Sequence, residues 1–275
     1  MIGLADRLRW GIPILLISIG LLIADLQQWT DGYGLMALAF LFGIGACYEA
    51  LTLRDDHKAR IWIGCLVFLW SGWSAIAISL DPLQLGVVLL GTTILLGSLL
   101  SEAMASNRRS LQFGLTTAVL TGSWLVLPTV AVWILAETDP LGVHAVLFAL
   151  LTVKSADTGA YFTGRAMGRT SLHPVSPKKT VEGLLGGVLS AALVGFAYAQ
   201  LLGDATMSPT QGVFLAVLVA LVGQLGDLQE SALKRAAGRK DSGNTIPGLG
   251  GLLDMLDSLL LAVPTLLLLR TVLAD

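Results

Sequence analysis

Five acidic residues punctuate residues 226–264, GDLQESALKRAAGRKDSGNTIPGLGGLLDMLDSLLLAVP: Asp227, Glu230, Asp241, Asp254 and Asp257. Asp227 and Glu230 are one helical turn apart and share a face, which Lys234 extends. Asp254 and Asp257 repeat that spacing at the mouth of an apolar run. Between the pairs, GNTIPGLGG holds four glycines and a proline. Such a stretch breaks a helix and folds the chain back, so the two carboxylate pairs are expected to meet. Carboxylates that cluster while ionised need a cation. Mg2+ suits them, because it takes hard oxygen ligands and leaves room for phosphate. The competing reading of Asp254 and Asp257 is structural: a helix cap plus a salt bridge to Lys234 or Arg235. Against it, acid at a membrane edge is costly and usually marks function.

A second polar block precedes this one. KSADTGAYFTGRAMGRTSLHPVSPKKTVEGLLGG opens at Lys154, and Asp157, Thr158 and Gly159 follow. Gly159, Gly164 and Gly168 permit tight turns or close approach of the backbone to a ligand. SPKKTVEG groups Ser176, Lys178, Lys179, Thr180 and Glu182. Hydroxyls, lysines and backbone N–H groups near a helix start suit a polyphosphate. The spacing is not that of a P-loop, so no NTPase assignment follows. A basic loop resting on anionic lipid headgroups is the alternative.

The elements that must position these blocks are membrane helices. The 275-residue chain is 55% hydrophobic and 13% charged, with a mean hydropathy of +0.77. Soluble domains carry about 25% charged residues. Apolar runs fall near residues 8–24, 33–53, 60–80, 83–102, 111–136, 141–153, 183–203, 210–226 and 251–271. Most match the length a bilayer core requires; the sixth is short and is expected to tilt, to extend to about residue 157, or to pack inside the bundle. The reading is an all-α, polytopic integral membrane protein of about nine transmembrane helices. Residues 1–136 form an N-terminal bundle of five spans. Residues 137–275 form a catalytic region of four spans, with cytoplasmic segments 154–182 and 227–250. Of the 17 Lys and Arg residues, all but Arg270 fall on one side of this arrangement. The positive-inside rule makes that side cytoplasmic and the N-terminus with it. No small-x-small cleavage site follows the first run, so that span is expected to be retained. Cys47 and Cys65 lie in apolar runs and read as packing residues. The formal charge of −2 gives no global attraction to nucleic acid.

With both blocks in view, the chain resembles the phosphatidate cytidylyltransferase (CDP-diacylglycerol synthase) family. The residues that carry the likeness are Ser231, Lys234 and Arg235, then Lys240 and Asp241, then Pro247 to Gly251, then Leu253, Asp254 and Asp257. DTGAYFTGRAMGR and SPKKTVEGLLGG match a second block of that family. Two positions depart: Leu249 stands where the family's signature has histidine, and Met255 where it has arginine.

The resemblance implies transfer of the cytidylyl group of CTP to phosphatidic acid, giving CDP-diacylglycerol and pyrophosphate. A phosphate nucleophile is already partly ionised at neutral pH. The reaction therefore needs charge relief and alignment more than a base. On this reading Asp227, Asp254 and Asp257 are the leading Mg2+ ligands, supported by Glu230 and Asp241, and K+ is a candidate second cation. Lys178, Lys179 and Lys234 are the leading phosphate contacts. Asp157, Thr158 and Arg165 shape the nucleotide pocket, and Ser176 and Thr180 line the same block. Arg235 and Lys240 face these anions or the lipid surface. Bacterial inner membrane, an active face toward the cytoplasm and a homodimer are further expectations. Two other readings compete: a cation-coupled transporter of an anionic solute, and an inactive paralogue that binds phosphatidic acid. The transporter needs charges near the midplane of several spans, and here they gather at one face.

Overall fold

The computed structural model describes residues 4–30, 32–53, 127–139, 141–202, 207–246 and 250–274. The spans expected at 60–80 and 83–102, most of that at 111–136, Cys65 and the departing residue Leu249 lie outside the described residues. The elements in chain order are α1 (Leu4–Leu26), α2 (Tyr33–Thr52), α3 (Leu127–Thr138), α4 (Val143–Met167), β1 (Ser171–His173), β2 (Ser176–Thr180), α5 (Val181–Leu202), α6 (Pro209–Ala236), α7 (Leu252–Leu256) and α8 (Leu259–Ala274). They form two compact units. One comprises Met1–Ile134 with Asp241–Leu256; the other comprises Leu135–Lys240 with Asp257–Asp275.

In the first unit, α1 and α2 form a helical hairpin whose turn is organised by the buried Asp25. Its carboxylate accepts hydrogen bonds from the Thr30 hydroxyl and from the Gly34 and Leu35 N–H groups, the latter at 3.1 and 2.6 Å. Those N–H groups open α2 and have no partner within the helix, so the acid caps it. The five-residue α7 packs on α2.

In the second unit, α4, α5, α6 and α8 pack on one another. The two faces of α5 show what solvent the unit is built for. Gly183, Gly187, Ala191, Gly195 and Ala199 are buried. Leu185, Leu189, Leu193 and Phe196 point outward, Leu193 with 71% of its surface exposed. Small residues inside and large apolar ones outside are the pattern of helices packed in lipid, where close approach, not burial of bulk, holds neighbours together. At Gly187 a Cβ would lie 2.7 Å from the Ala156 carbonyl of α4, so any larger residue forces these helices apart. Among the described residues, four segments are long and apolar enough to cross a membrane: Tyr33–Ala50, Val181–Leu202, Pro209–Arg235 and Leu252–Leu273. The described chain is thus an all-α membrane protein with several apolar helices and one small hairpin.

Three local features refine the sequence reading. The short sixth run becomes the 25-residue α4, which carries on through Asp157 to Met167. A continuous helix keeps its backbone satisfied without help. The polar stretch after it folds as the antiparallel β1–β2 hairpin, with Ser171 opposite Thr180 and His173 opposite Ser176. Glu182, in the first turn of α5, clamps the hairpin base by accepting from the Arg169 N–H (3.1 Å), the Thr170 N–H (3.2 Å) and the Thr170 hydroxyl (3.0 Å). The last apolar run is interrupted: Asp257 and Ser258 separate α7 from α8. The Asp257 carboxylate accepts from the Ser258 N–H (2.5 Å) and hydroxyl (3.0 Å), a local bonding that competes with helix. Asp254 and Asp257 therefore do not share the face of one unbroken helix.

α6 is set by its start. Ser208 and Gln211 form a capping box and Pro209 fills the first turn, where a missing N–H costs nothing. Arg270, the one basic residue outside the set expected to share one side, makes a two-pronged bridge to Asp139, at 2.8 and 3.0 Å. Both groups are largely buried, at 12% and 6% exposed, so this cation is neutralised and does not act as a free topological charge.

Candidate functional site

Three carboxylates meet in the second unit. Asp227 and Glu230 come from α6, one turn apart as their spacing requires, and Asp257 comes from the break before α8. One oxygen of each lies within 4.8 Å of the others. Glu230 is fully buried and the other two are half-buried. The approach of Asp257 depends on Gly226: a Cβ there would stand 2.6 Å from the Asp257 carbonyl oxygen. Glycine immediately before Asp227 thus lets the chain at Asp257 come against α6, beside the other two acids.

Like charges this close repel strongly where water is scarce. Two lysines offset them. The Lys179 ammonium, on β2, lies 2.5 Å from Asp227. The Lys234 ammonium, one turn along α6, lies 2.5 Å from Glu230, in the face-sharing position expected from the sequence.

Of the three acids, Asp227 borders a cavity of about 480 Å3, within the size range of small-molecule sites. Asp157, Arg165, Lys178, Lys179, Thr180 and Asp227 all line it. Six residues singled out from two distant blocks are therefore brought to one wall set by α4, the hairpin and α6. Gly164 and Gly183 line it as well, where α4 and α5 run close. Thr180 caps α5 by accepting the Gly183 N–H at 3.1 Å.

Other expected residues are not among those that line the cavity. Thr158 is exposed on α4 and its hydroxyl donates to the Lys154 carbonyl, at 2.7 Å. Ser176 opens β2 opposite His173. Arg235 is exposed and donates to the Arg239 carbonyl at 2.9 Å, closing the end of α6. Lys240 and Asp241 are exposed. Asp254 belongs to the first unit, where it accepts the Ser242 N–H at 3.1 Å and the Gly251 N–H at 3.3 Å. Within the glycine-rich stretch, Ile246 and Gly250 exchange backbone hydrogen bonds of 3.2 Å. Met255 lies on α7 beside Asp254.

Several contributors were not read from the sequence. Gln224 lies one turn before Asp227 and donates to the Asp157 carboxylate at 3.1 Å, tying α6 to α4. Its position on the Asp227–Glu230 face was the available signal. Lys154 is 3.6 Å from Asp157. The Tyr161 hydroxyl accepts from Arg165 at 2.9 Å and holds that guanidinium along the cavity wall.

The donor set fits a divalent cation. It offers three carboxylates, all hard oxygen ligands, converging from two chain segments next to a cavity that lysines and an arginine make attractive to anions. Fold and site thus define a membrane-embedded protein with an acid-and-lysine pocket suited to an anionic, phosphate-bearing ligand. The cytidylyltransferase family model matches residues 7–273, nearly the whole chain, and the chain belongs to that family. A phosphatidate cytidylyltransferase of Staphylococcus saprophyticus is 44% identical over 133 residues, 48% of this chain and 51% of the relative. One from Staphylococcus epidermidis is 45% identical over 131 residues, 47% and 50% of the two chains. One from Synechocystis is 46% identical over 132 residues, 48% of this chain and 45% of the relative. The chain spans about half the length of the curated relatives it matches.

Proposed function

We propose that this protein is a Mg2+-dependent phosphatidate cytidylyltransferase. A phosphate oxygen of phosphatidic acid attacks the α-phosphorus of CTP, a new P–O bond forms, and the bond to the β-phosphate oxygen breaks. The products are CDP-diacylglycerol and pyrophosphate. The observation that carries this reading is the convergence of Asp227, Glu230 and Asp257 beside a lysine-lined cavity, in a chain of this family.

Asp227, Glu230 and Asp257 are the residues that would hold the ion. When bound, it would offset charge on the reacting phosphates and help align them. Lys178, Lys179 and Arg165 bind the triphosphate from the cavity wall. Lys179 is matched to this because its ammonium already sits against a carboxylate and turns to a phosphate at little cost in desolvation. Gln224 and Lys154 hold Asp157 in place, so that this acid orients the nucleotide. None of these groups needs to remove a proton, which makes histidine dispensable at position 249. Arg235 and Lys240 are assigned to anionic lipid headgroups. The reading further takes the face as cytoplasmic, the membrane as the bacterial inner membrane and the assembly as a homodimer.

The test is conversion of labelled CTP into a chloroform-soluble product by purified protein with phosphatidic acid and Mg2+. Product is expected, with none after chelation by EDTA and recovery on adding Mg2+. A pure, folded preparation that forms no lipid product at any Mg2+ concentration would overturn the proposal. Leu249→His is expected to change the rate by less than about threefold, since positioning dominates phosphoryl chemistry.

A further inference from the structure

Glu49 is a buried acid to which the proposed reaction gives no role. It lies in the apolar span Tyr33–Ala50 and is 2% exposed. A carboxylate in such a place is expensive and is retained for a reason. Its contacts show one. Oε2 accepts the Ser242 hydroxyl and the Leu253 N–H, both at 2.9 Å, and Oε1 accepts the Thr245 hydroxyl. Two ends of the glycine-rich return are therefore drawn to a single side chain some 200 residues earlier in sequence, with separations of 193 and 204.

The glycines of the return agree with this. A Cβ at Gly243 would stand 2.6 Å from Glu49 Oε1. One at Gly251 would stand 2.5 Å from Glu49 Oε2 and 2.9 Å from Asp254 Oδ2. Both positions are cleared for carboxylate oxygens. Ser242 serves both acids at once, with its hydroxyl on Glu49 and its N–H on Asp254 at 3.1 Å. The clamp thus reaches Asp254 through one residue, and the chain leaves α7 directly into Asp257.

We infer that Glu49 is a positioning residue for the signature return: it clamps Ser242, Thr245 and Leu253, and so sets the segment that carries Asp254 and leads into Asp257. The inference rests on the proposed reaction for its kinetic consequence but not for its structural one. Glu49, Ser242, Thr245, Leu253 and Asp254 all lie in the first unit.

The experiment compares wild type, Glu49→Gln, Glu49→Asp and Glu49→Ala as full-length protein in lipid nanodiscs. It reads kcat, KM for CTP, Mn2+ affinity, and hydrogen exchange across the chain. Glu49→Ala is expected to lower kcat about 100-fold and Glu49→Gln about tenfold, since a small misplacement caused far from the chemistry can cost that much, with KM for CTP within about threefold. Exchange should quicken at residues 242–253 and stay unchanged in α4, α5 and α6, and Glu49→Asp should recover part of both effects. Unchanged exchange at 242–253 in Glu49→Ala, or a wild-type kcat, overturns the inference. So does faster exchange throughout the protein, which would make Glu49 a general stability residue. If wild type itself forms no lipid product, the proposed reaction fails, and exchange and Mn2+ affinity still decide the role of Glu49.

Discussion

Asp254 and Asp257 stand three residues apart in one apolar run, yet their carboxylates keep different company. Asp257 lies with Asp227 and Glu230, and the ammonium groups of Lys179 and Lys234 sit against those two. Asp254 accepts backbone N–H groups at Ser242 and Gly251, in the turn that Glu49 also grips. The contacts of the two groups are of different kinds. A lysine is a mobile cation on a flexible stem, and it can give way to another cation. A backbone N–H is fixed by the chain and cannot. The first arrangement suits a site whose charges are exchanged during a reaction; the second suits a scaffold. We propose that these two acids, alike in local sequence signal, serve different ends: Asp257 in an ion-holding set and Asp254 in forming a turn.

That separation can be broken by experiment. The largest effect is expected at the ion-holding acids: Asp227→Asn or Asp257→Asn should lower kcat by on the order of 10^3-fold. Either should also weaken Mn2+ binding measured by electron paramagnetic resonance. Equal loss in Asp254→Asn would erase the distinction. Next is Lys179→Met, expected to lower kcat/KM for CTP about 100-fold through loss of a positioned cation. In the absence of nucleotide the same variant should bind Mn2+ more tightly, because Asp227 loses its ammonium partner. Weaker nucleotide-free binding would show that Lys179 supports the acids and does not compete for them.

Gly226→Ala comes third. Its methyl group meets the Asp257 carbonyl, so a cost of about 1–3 kcal/mol in stability and about a tenfold loss of activity are expected. Thermal unfolding and turnover measured together check whether Asp257 has moved. Asp254→Asn should cost less activity, about tenfold or under, since it weakens hydrogen bonds worth about 1–3 kcal/mol without removing an ion ligand. Arg270→Met marks the lower limit. It leaves Asp139 buried without its partner and should cost about 3 kcal/mol of stability. The Michaelis constant for CTP should stay unchanged, and Asp139→Asn in the same chain should restore part of the loss.

Much of the site was legible because helical spacing is local. Asp227, Glu230 and Lys234 share a face whatever surrounds them, and the ion pair of Glu230 with Lys234 follows from that alone. The glycines and proline after Ala237 announced a turn, and Ile246 and Gly250 pair antiparallel within that stretch. Lys178, Lys179 and Thr180 were grouped by their chemistry, and they do line one cavity with Asp157 and Arg165. What was not legible depends on contacts between distant segments. Glu49 was not singled out from the sequence, because nothing near it along the chain names Ser242 or Leu253 as its partners. The extension of α4 to Met167 was also hidden, since Lys154, Asp157 and Arg165 read as the end of a span when only apolar length is counted. The hairpin was masked by composition: Ser, Pro and Lys in β2 are poor strand formers, and the clamp from Glu182 supplies what propensity does not.

Composition and run length by themselves determined that this chain lives in a membrane, because a bilayer demands long apolar helices and tolerates little charge. Motif chemistry by itself singled out the acids, lysines and glycines and placed the chain's resemblance in its family. Only the tertiary structure decided which acids stand together. Helix packing at Gly226 brings Asp257 to Asp227 and Glu230, while Glu49 and Ser242 hold Asp254 in its turn. The physical reason is that a carboxylate takes whatever donor or cation lies within about 3 Å, and at that distance the neighbours are set by packing, not by order along the chain.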